Sequence, residues 1–206
     1  MVQRLNGGQP VIALAGNPNV GKSTIFNCLT GMRQHTGNWA GKTIACAQGT
    51  ASWNGQDYTV IDLPGTYSLI AHSAEEEVAR DFIRFGGADA CVVVCDATCL
   101  ERNLNLVLQI MSLTRRVIVC VNLCDEAARK GISIDFPRLS QLLGAPVVSA
   151  SAARRQGLDR LMDEIAKMAS LPASETAASK TFAPAALLDE ETALSFIAKA
   201  EKISAS

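Results

Sequence analysis

The residues with the clearest chemical signature lie at 16–23. They read G-x-x-x-x-G-K-S, the apolar run 11–15 precedes them, and a helical pattern opens at Ser23. A loop with glycine at both ends can turn successive backbone N–H groups toward an anion, and the N-terminus of the following helix adds further N–H groups. This order of strand, loop and helix predicts a phosphate-binding P-loop.

Two side chains of this loop complete the predicted phosphate site. Lys22 supplies a positive charge to the β- and γ-phosphates of a nucleotide, and the Ser23 hydroxyl has the length to ligate a bridging Mg²⁺. The competing interpretation is a glycine-rich turn with a surface lysine, which the correct flanking patterns disfavour.

A second motif follows the predicted strand 57–62, where Asp62-Leu63-Pro64-Gly65 reads D-x-x-G. Ligands of open α/β sheets bind at the carboxyl ends of strands. We therefore expect Asp62 to reach the Mg²⁺ shell and the Gly65 N–H to meet a γ-phosphate. An ordinary Pro-Gly turn is the alternative.

A third motif, Asn122-Leu123-Cys124-Asp125, reads N-x-x-D and ends the predicted strand 116–122. The Asp125 carboxylate can accept hydrogen bonds from the N1–H and the 2-amino group of guanine, which adenine does not offer. Leu123 stands where lysine is common and can still lay an apolar stem on the base. The alternative is that Asp125 caps a helix N-terminus.

The last predicted strand ends at the turn Ser151-Ala152. We expect this turn to contact the base, with the Ala152 N–H facing guanine O6. The dipeptide alone is a weak indication of a base-contacting turn. Its position at the end of the strand that follows the N-x-x-D motif supports this interpretation.

Two segments bear on hydrolysis. The glycine-rich stretch 37–43 contains Thr43, which we expect to complete the Mg²⁺ coordination only when the third phosphate is present. Thr66 stands where many GTPases have a water-orienting glutamine. The sequence therefore predicts loops at 33–43 and 65–73 that change order with the nucleotide.

Composition limits the class of protein. The chain has 206 residues, 48% of them hydrophobic, with a net charge of -1. This favours one buried domain with an appendage and gives no basic surface for nucleic acid. Residues 1–10 do not resemble a signal peptide, and no apolar run reaches the ~18–20 residues of a membrane helix, so we expect a cytoplasmic, soluble chain. Cys91, Cys95 and Cys120 fall in apolar strand patterns, as reduced core thiols do.

Periodicity predicts an α/β fold, a three-layer α/β/α P-loop NTPase sandwich. The mainly parallel six-stranded sheet has one antiparallel edge strand, because Asn54-Gly55 joins two strands as a hairpin. The predicted strands are 11–15, 45–52, 57–62, 90–96, 116–122 and 145–149. The predicted helices are 22–31, 74–86, 101–113, 135–143 and 157–169. We expect a domain at 1–169, a linker at 170–184 and a partial helical segment at 185–206.

The chain resembles the N-terminal G domain of the ferrous iron transport protein B (FeoB) family, a TRAFAC-class P-loop GTPase. The residues that carry the resemblance are those at 16–23, 37–43, 62–69 and 122–125, and it extends over about residues 10–169. Membership implies a slow GTPase at the inner face of the cell membrane, attached to a membrane-embedded iron permease. The family continues with a helical domain and a membrane portion, so 170–206 are too few and a fragment, an engineered form or a shortened member is expected. Whether the protein forms a homo-oligomer is left open.

The resemblance also implies that Asn19 helps coordinate K⁺ beside the phosphates, where it would stabilise transition-state charge. The expected catalytic residues are Asn19, Lys22, Thr43 and Gly65. Mg²⁺ is assigned to Ser23, Thr43 and Asp62. The expected residues for GTP or GDP are Gly16, Asn17, Pro18, Asn19, Val20, Gly21, Lys22, Ser23, Thr24, Asp62, Leu63, Pro64, Gly65, Asn122, Leu123, Asp125, Ser151 and Ala152. Two departures from the family pattern, Ala40 for proline and Lys42 for valine, predict a more flexible loop.

Two other functions stay open at this point. One is a ribosome-assembly GTPase of the Era/Der type, which would carry an appended basic RNA-binding domain. The other is a guanine-nucleotide-dependent interaction module with negligible turnover, which Thr66 keeps in consideration.

Overall fold

The computed structural model describes residues 8–31, 34–38, 45–69 and 73–172, with the backbone alone at 34–38 and at 45. Thr43, most of the predicted loop 33–43 and the predicted segment 185–206 lie outside these ranges. So does the linker predicted at 170–184, apart from its first three residues.

Within these ranges the sheet has seven strands in the order β2-β3-β4-β1-β5-β6-β7. They are β1 (Val11–Gly16), β2 (Gln34–Asn38), β3 (Ala45–Trp53), β4 (Gln56–Asp62), β5 (Ala90–Asp96), β6 (Val117–Asn122) and β7 (Val147–Ser149). The helices are α1 (Lys22–Thr30), α2 (Ala74–Phe85), α3 (Leu100–Leu113), α4 (Cys124–Arg129), α5 (Phe136–Leu143) and α6 (Leu158–Ser170).

The predicted mainly parallel sheet with one antiparallel strand is confirmed. β1, β4, β5, β6 and β7 pair in parallel, whereas β3 pairs antiparallel with both β2 and β4. The predicted number of six strands was too small, and β3 is not the edge strand because β2 lies outside it. The sequence of β2 has no apolar alternation, so its backbone pairing with β3 leaves no hydrophobic pattern to detect.

The predicted hairpin between β3 and β4 is confirmed. Its turn residues have positive φ, 50° at Asn54 and 78° at Gly55. Two consecutive positive φ values define the type of turn that matches the twist of paired strands, and the Asn-Gly pair adopts it readily.

The helices form the two outer layers of the predicted sandwich. Because they cover both faces of the sheet, β1 is buried on both sides. Ile12 and Leu14 pack in one core with residues of α1 and α6. Their neighbours Val11 and Ala13 point to the other face, where α2, α3 and α5 cover the sheet. Cys91, Cys95 and Cys120 are buried in these cores, and burial raises the pKa of Cys91 and of Cys120 to about 12.

The amino ends of the central strands are tied together by Arg116, which is 9% exposed. Its guanidinium donates to the backbone oxygens of Asp89 and Leu171, both at 3.0 Å. The Asp89 carboxylate in turn accepts the Val11 N–H at 2.9 Å, at the start of β1. One side chain therefore connects the end of α6 with the strand that leads to the P-loop.

Among the described residues, no helix combines the length and the apolar character that a membrane crossing needs.

Leu161→Ala tests the layer that holds the P-loop helix against the sheet. Leu161 of α6 is fully buried beside Ile25 and Phe26 of α1. We expect a loss of about 2–5 kcal/mol in the free energy of unfolding, measured by guanidinium titration. Leu171→Ala, at a side chain that is 42% exposed, is the control and should lose much less. Equal losses would contradict this packing.

Candidate nucleotide-binding site

The predicted motifs meet at one edge of the sheet, where β1, β4, β6 and β7 end. The register places Leu14 opposite Asp62 and Val121 opposite Ser149. Because these strands are parallel, their carboxyl ends bring the P-loop, the D-x-x-G turn, the N-x-x-D turn and the turn at 151–152 side by side.

The P-loop depends on its two glycines for close packing. A Cβ at Gly16 would lie 2.6 Å from the carbonyl oxygen of Val94. Gly21 has a φ of 82°, and a Cβ there would overlap the Asn122 side chain. The loop also contains Asn19 at a φ of 67°, a conformation that asparagine tolerates better than most residues. Side chains at the two glycine positions would therefore push the loop away from β5 and from Asn122.

Three predicted phosphate and magnesium residues come together beneath this loop. Lys22 Nζ forms an ion pair with Asp62 Oδ1 and donates to the Leu63 carbonyl oxygen at 2.6 Å. The Ser23 hydroxyl lies 3.4 Å from Asp62 Oδ2. Lys22 and Asp62 are only 10% and 12% exposed, so their charges are sheltered from water. The donor set, one ammonium with a hydroxyl and a carboxylate, fits a magnesium-bound phosphate.

The D-x-x-G turn packs directly on the P-loop. The Thr66 N–H donates to the Gly16 carbonyl oxygen at 3.2 Å, and a Cβ at Gly65 would lie 3.4 Å from Pro18. The Thr66 hydroxyl donates to the Ser68 carbonyl oxygen at 2.5 Å and lies 3.4 Å from a Glu76 carboxylate oxygen. The side chain at the usual glutamine position is therefore buried in its own turn.

Gln109 of α3 binds the residues just after the D-x-x-G turn, Ser68 and Leu69, and the sequence did not predict this contact. Its Oε1 accepts the Leu69 N–H at 2.7 Å and the Ser68 hydroxyl at 3.2 Å. A glutamine in the middle of an amphipathic helix carries no signal for such a contact, because the partner lies 40 residues away in sequence.

Asn122 links the phosphate end of the site to the base end. Its side chain is 1% exposed; Nδ2 donates to the Val20 carbonyl oxygen and Oδ1 accepts the Ala152 N–H, both at 3.0 Å. The Ala152 N–H, which we expect to face guanine O6, therefore has a partner inside the protein in this structure, and Asn122 positions the turn that carries it.

Asp125 lies in the first turn of α4, whose N-cap is Leu123, so the alternative that Asp125 is the cap is wrong. The Asp125 N–H donates to the Ser151 hydroxyl at 3.1 Å. Asp125 Oδ2 pairs with Arg154 Nε at 3.0 Å and with an Arg129 nitrogen at 4.0 Å. The carboxylate that we expect to read the base thus faces two arginines.

Two cysteines border the site as neutral thiols. Burial, followed by the Asp62 carboxylate, raises the pKa of Cys46, although Lys22 acts in the opposite direction. Burial also raises the pKa of Cys124, and the Asp125 carboxylate adds to it while a backbone hydrogen bond to Ala150 opposes it. A thiol without negative charge does not repel a phosphate chain.

One acceptor in the loop is left unsatisfied. Asn17 is 4% exposed, and its Oδ1 has no hydrogen-bond partner in the part of the chain that the structure describes. Such an oxygen fits a donor or a cation supplied by a bound ligand.

Asn122→Ala tests the link between the two ends of the site. The variant leaves the buried Ala152 N–H and Val20 carbonyl without partners, each at about 1–3 kcal/mol. We expect a lower free energy of unfolding in nucleotide-free protein, measured by urea titration. Asn105→Ala on the exposed face of α3 is the matched control. If both variants unfold alike, the Asn122 bonds do not stabilise the site.

Comparisons with known proteins agree with this geometry. The family described as "Ferrous iron transport protein B" matches residues 10–165. The Fe(2+) transporter FeoB of Campylobacter jejuni is 42% identical over 154 residues, which is 75% of this chain and 25% of the relative. The Escherichia coli K12 FeoB is 44% identical over 73% of this chain and 20% of its own length. The chain thus spans a quarter or less of these relatives.

Solved structures give the same result. The G domain of the T. maritima FeoB iron transporter has a TM-score of 0.74 and 40% identity, covering 79% of this chain and 99% of that one. The FeoB G domain from Methanococcus jannaschii has a TM-score of 0.70 and 43% identity, with the same coverage. From the matched family, the relatives and the fold, we conclude that this chain belongs to the FeoB family and carries its N-terminal G domain.

Proposed function

We propose that this domain binds GTP and hydrolyses it to GDP and phosphate, as the switch of a ferrous iron transporter. The observation that carries the proposal is the meeting of Lys22, Ser23 and Asp62 beneath the P-loop. A buried lysine held between a carboxylate and a carbonyl oxygen is poised to exchange those partners for phosphate oxygens.

In this proposal the nucleotide replaces internal contacts. Lys22 moves from Asp62 to the β- and γ-phosphates, which frees the Asp62 carboxylate to face the metal shell. Ser23 and Asp62 are the described residues that would hold Mg²⁺, which supplies positive charge against the charge developing on the phosphates. Thr43 stays a proposed third ligand. The turn that carries Gly65 packs against Pro18 of the P-loop, which supports a role for the Gly65 N–H toward the γ-phosphate.

Slow turnover is proposed from Thr66. Its hydroxyl is engaged within its own turn, so it does not take the place of a water-orienting glutamine. A K⁺ ion held by Asn19 would then supply part of the missing transition-state stabilisation. The same observation about Thr66 favours the second candidate, a nucleotide-dependent interaction module that barely turns over.

The wider role is proposed from the relatives. They are named Fe(2+) transporters, and solved T. maritima cytosolic domains include a GDP form and a GMPPNP form. We propose a location at the cytoplasmic face of the membrane, beside the permease that moves Fe²⁺. The net charge of -1 does not support the Era/Der alternative, which would carry a basic RNA-binding domain.

Asn19→Gly tests the potassium proposal without disturbing the backbone, because glycine adopts the positive φ freely. We expect single-turnover GTP hydrolysis to be faster in KCl than in NaCl for the wild type. The variant should lose about tenfold or more of that stimulation. Asn54→Gly, at the hairpin turn with a φ of 50°, is the control. No hydrolysis in either salt would instead favour the interaction module.

Asp125→Asn tests the base assignment. An amide in place of the carboxylate loses acceptors for the guanine N1–H and 2-amino groups and can donate to the 2-oxo group of xanthine. We expect GTP affinity to fall by about 10- to 100-fold and XTP affinity to rise, by calorimetry. Asp159→Asn on the exposed start of α6 makes the same charge change and should leave both affinities unaltered. An unchanged GTP affinity in the Asp125 variant removes the assignment.

A further inference from the structure

Arg154 lies against the one carboxylate that the proposed function assigns to the base. Its Nε is 3.0 Å from Asp125 Oδ2. Arg154 is 57% exposed, whereas Asp125 is 19% exposed. The carboxylate is therefore fixed and sheltered, and the arginine reaches it from the solvent side.

The pair is not needed to hold either partner in place. The Asp125 N–H is bonded to the Ser151 hydroxyl, which fixes the start of α4. The turn that carries Arg154 is closed by paired backbone bonds between Ser151 and Gln156, at 3.1 and 3.2 Å. Asn122 adds the bond to the Ala152 N–H. None of these contacts involves the Arg154 side chain.

The ion pair occupies an oxygen that the base requires. A guanine base that donates both its N1–H and its 2-amino group uses the two carboxylate oxygens. One of these, Oδ2, faces Arg154 in this structure, with Arg129 at the longer distance of 4.0 Å. A base that enters the site competes with the guanidinium for that oxygen.

We propose that Arg154 is an intramolecular competitor for the base-reading carboxylate, which weakens guanine nucleotide binding and speeds GDP release. This inference rests on the proposed function and deepens it, because it names a residue outside the family motifs that sets the affinity of the same site. As the base departs, the guanidinium returns to Asp125 and disfavours rebinding.

The size of the effect follows from the exposure of the pair. Ion pairs with one solvent-exposed partner are weak, so removing Arg154 changes the affinity by about 1.5- to 5-fold. The change appears in the dissociation rate because the guanidinium begins to replace the base on Asp125 Oδ2 while the base is still leaving. Because salt screens exposed charges, the difference between wild type and variant shrinks at high ionic strength.

The test compares Arg154→Ala with Arg155→Ala, which makes the same charge change on the same turn. Arg155 is exposed at a φ of 56°, and among the described residues Asp125 forms its ion pairs with Arg154 and Arg129 instead. Release of GDP labelled on its ribose with a fluorescent group is followed by stopped flow at constant Mg²⁺, in low and high KCl. We expect release about 1.5- to 5-fold slower for Arg154→Ala, wild-type release for Arg155→Ala, and convergence of the rates in high salt. Arg154→Lys, which retains a cation, should recover part of the wild-type rate.

The outcomes separate the two proposals. Unchanged or faster release from Arg154→Ala, or a slowing that persists in high salt, overturns the inference and leaves the proposed function standing. Equal slowing in both alanine variants also overturns it, because net charge alone would then account for the effect. If the wild type binds no labelled GDP while it unfolds cooperatively, the proposed function fails and this inference fails with it.

Discussion

The hydrogen bonds of the Asn122 side chain set the geometry on which the rest of the site depends. The phosphate and base ends of a nucleotide are recognised by loops that follow different strands, and nothing in the local sequence fixes their separation. A buried amide that bonds the Val20 carbonyl on one side and the Ala152 N–H on the other does fix it. Gly21 is required at the same point, since any side chain there would displace Asn122.

Both acidic residues assigned to the nucleotide are paired with cations of the chain itself. Lys22 and Asp62 form a sheltered pair at the phosphate end, and Arg154 and Asp125 form a more exposed pair at the base end. In the proposed function, ligand binding is consequently an exchange of partners, in which the Lys22 and Asp62 charges do not remain buried alone. In that proposal the pair Lys22–Asp62 contributes more to the free energy of nucleotide binding than the pair Arg154–Asp125, because water screens the more exposed pair.

The parts of the fold that the sequence predicts are those specified by neighbouring residues. The P-loop, the Asn54-Gly55 hairpin and the strand-helix alternation each depend on short patterns, and the structure agrees with them. Strand β2 was not predicted because backbone groups make its pairing and its sequence has no apolar pattern. Gln109 and the internal partner of the Ala152 N–H escaped because hydrogen bonds between distant segments leave no periodic trace. Motif spacing predicts which residues come together. Only the structure shows which of their hydrogen-bonding and charged groups already have partners within the protein.

The contacts of Arg116 give the domain a mechanical path between its two ends. The guanidinium grips the backbone at Leu171, just after α6, and through Asp89 reaches the first amide of β1. That strand ends at Gly16, the first residue of the P-loop, so the contacts of Arg116 couple the position of the backbone at Leu171 to the position of the P-loop. A close-packed interior transmits strain along such a connection.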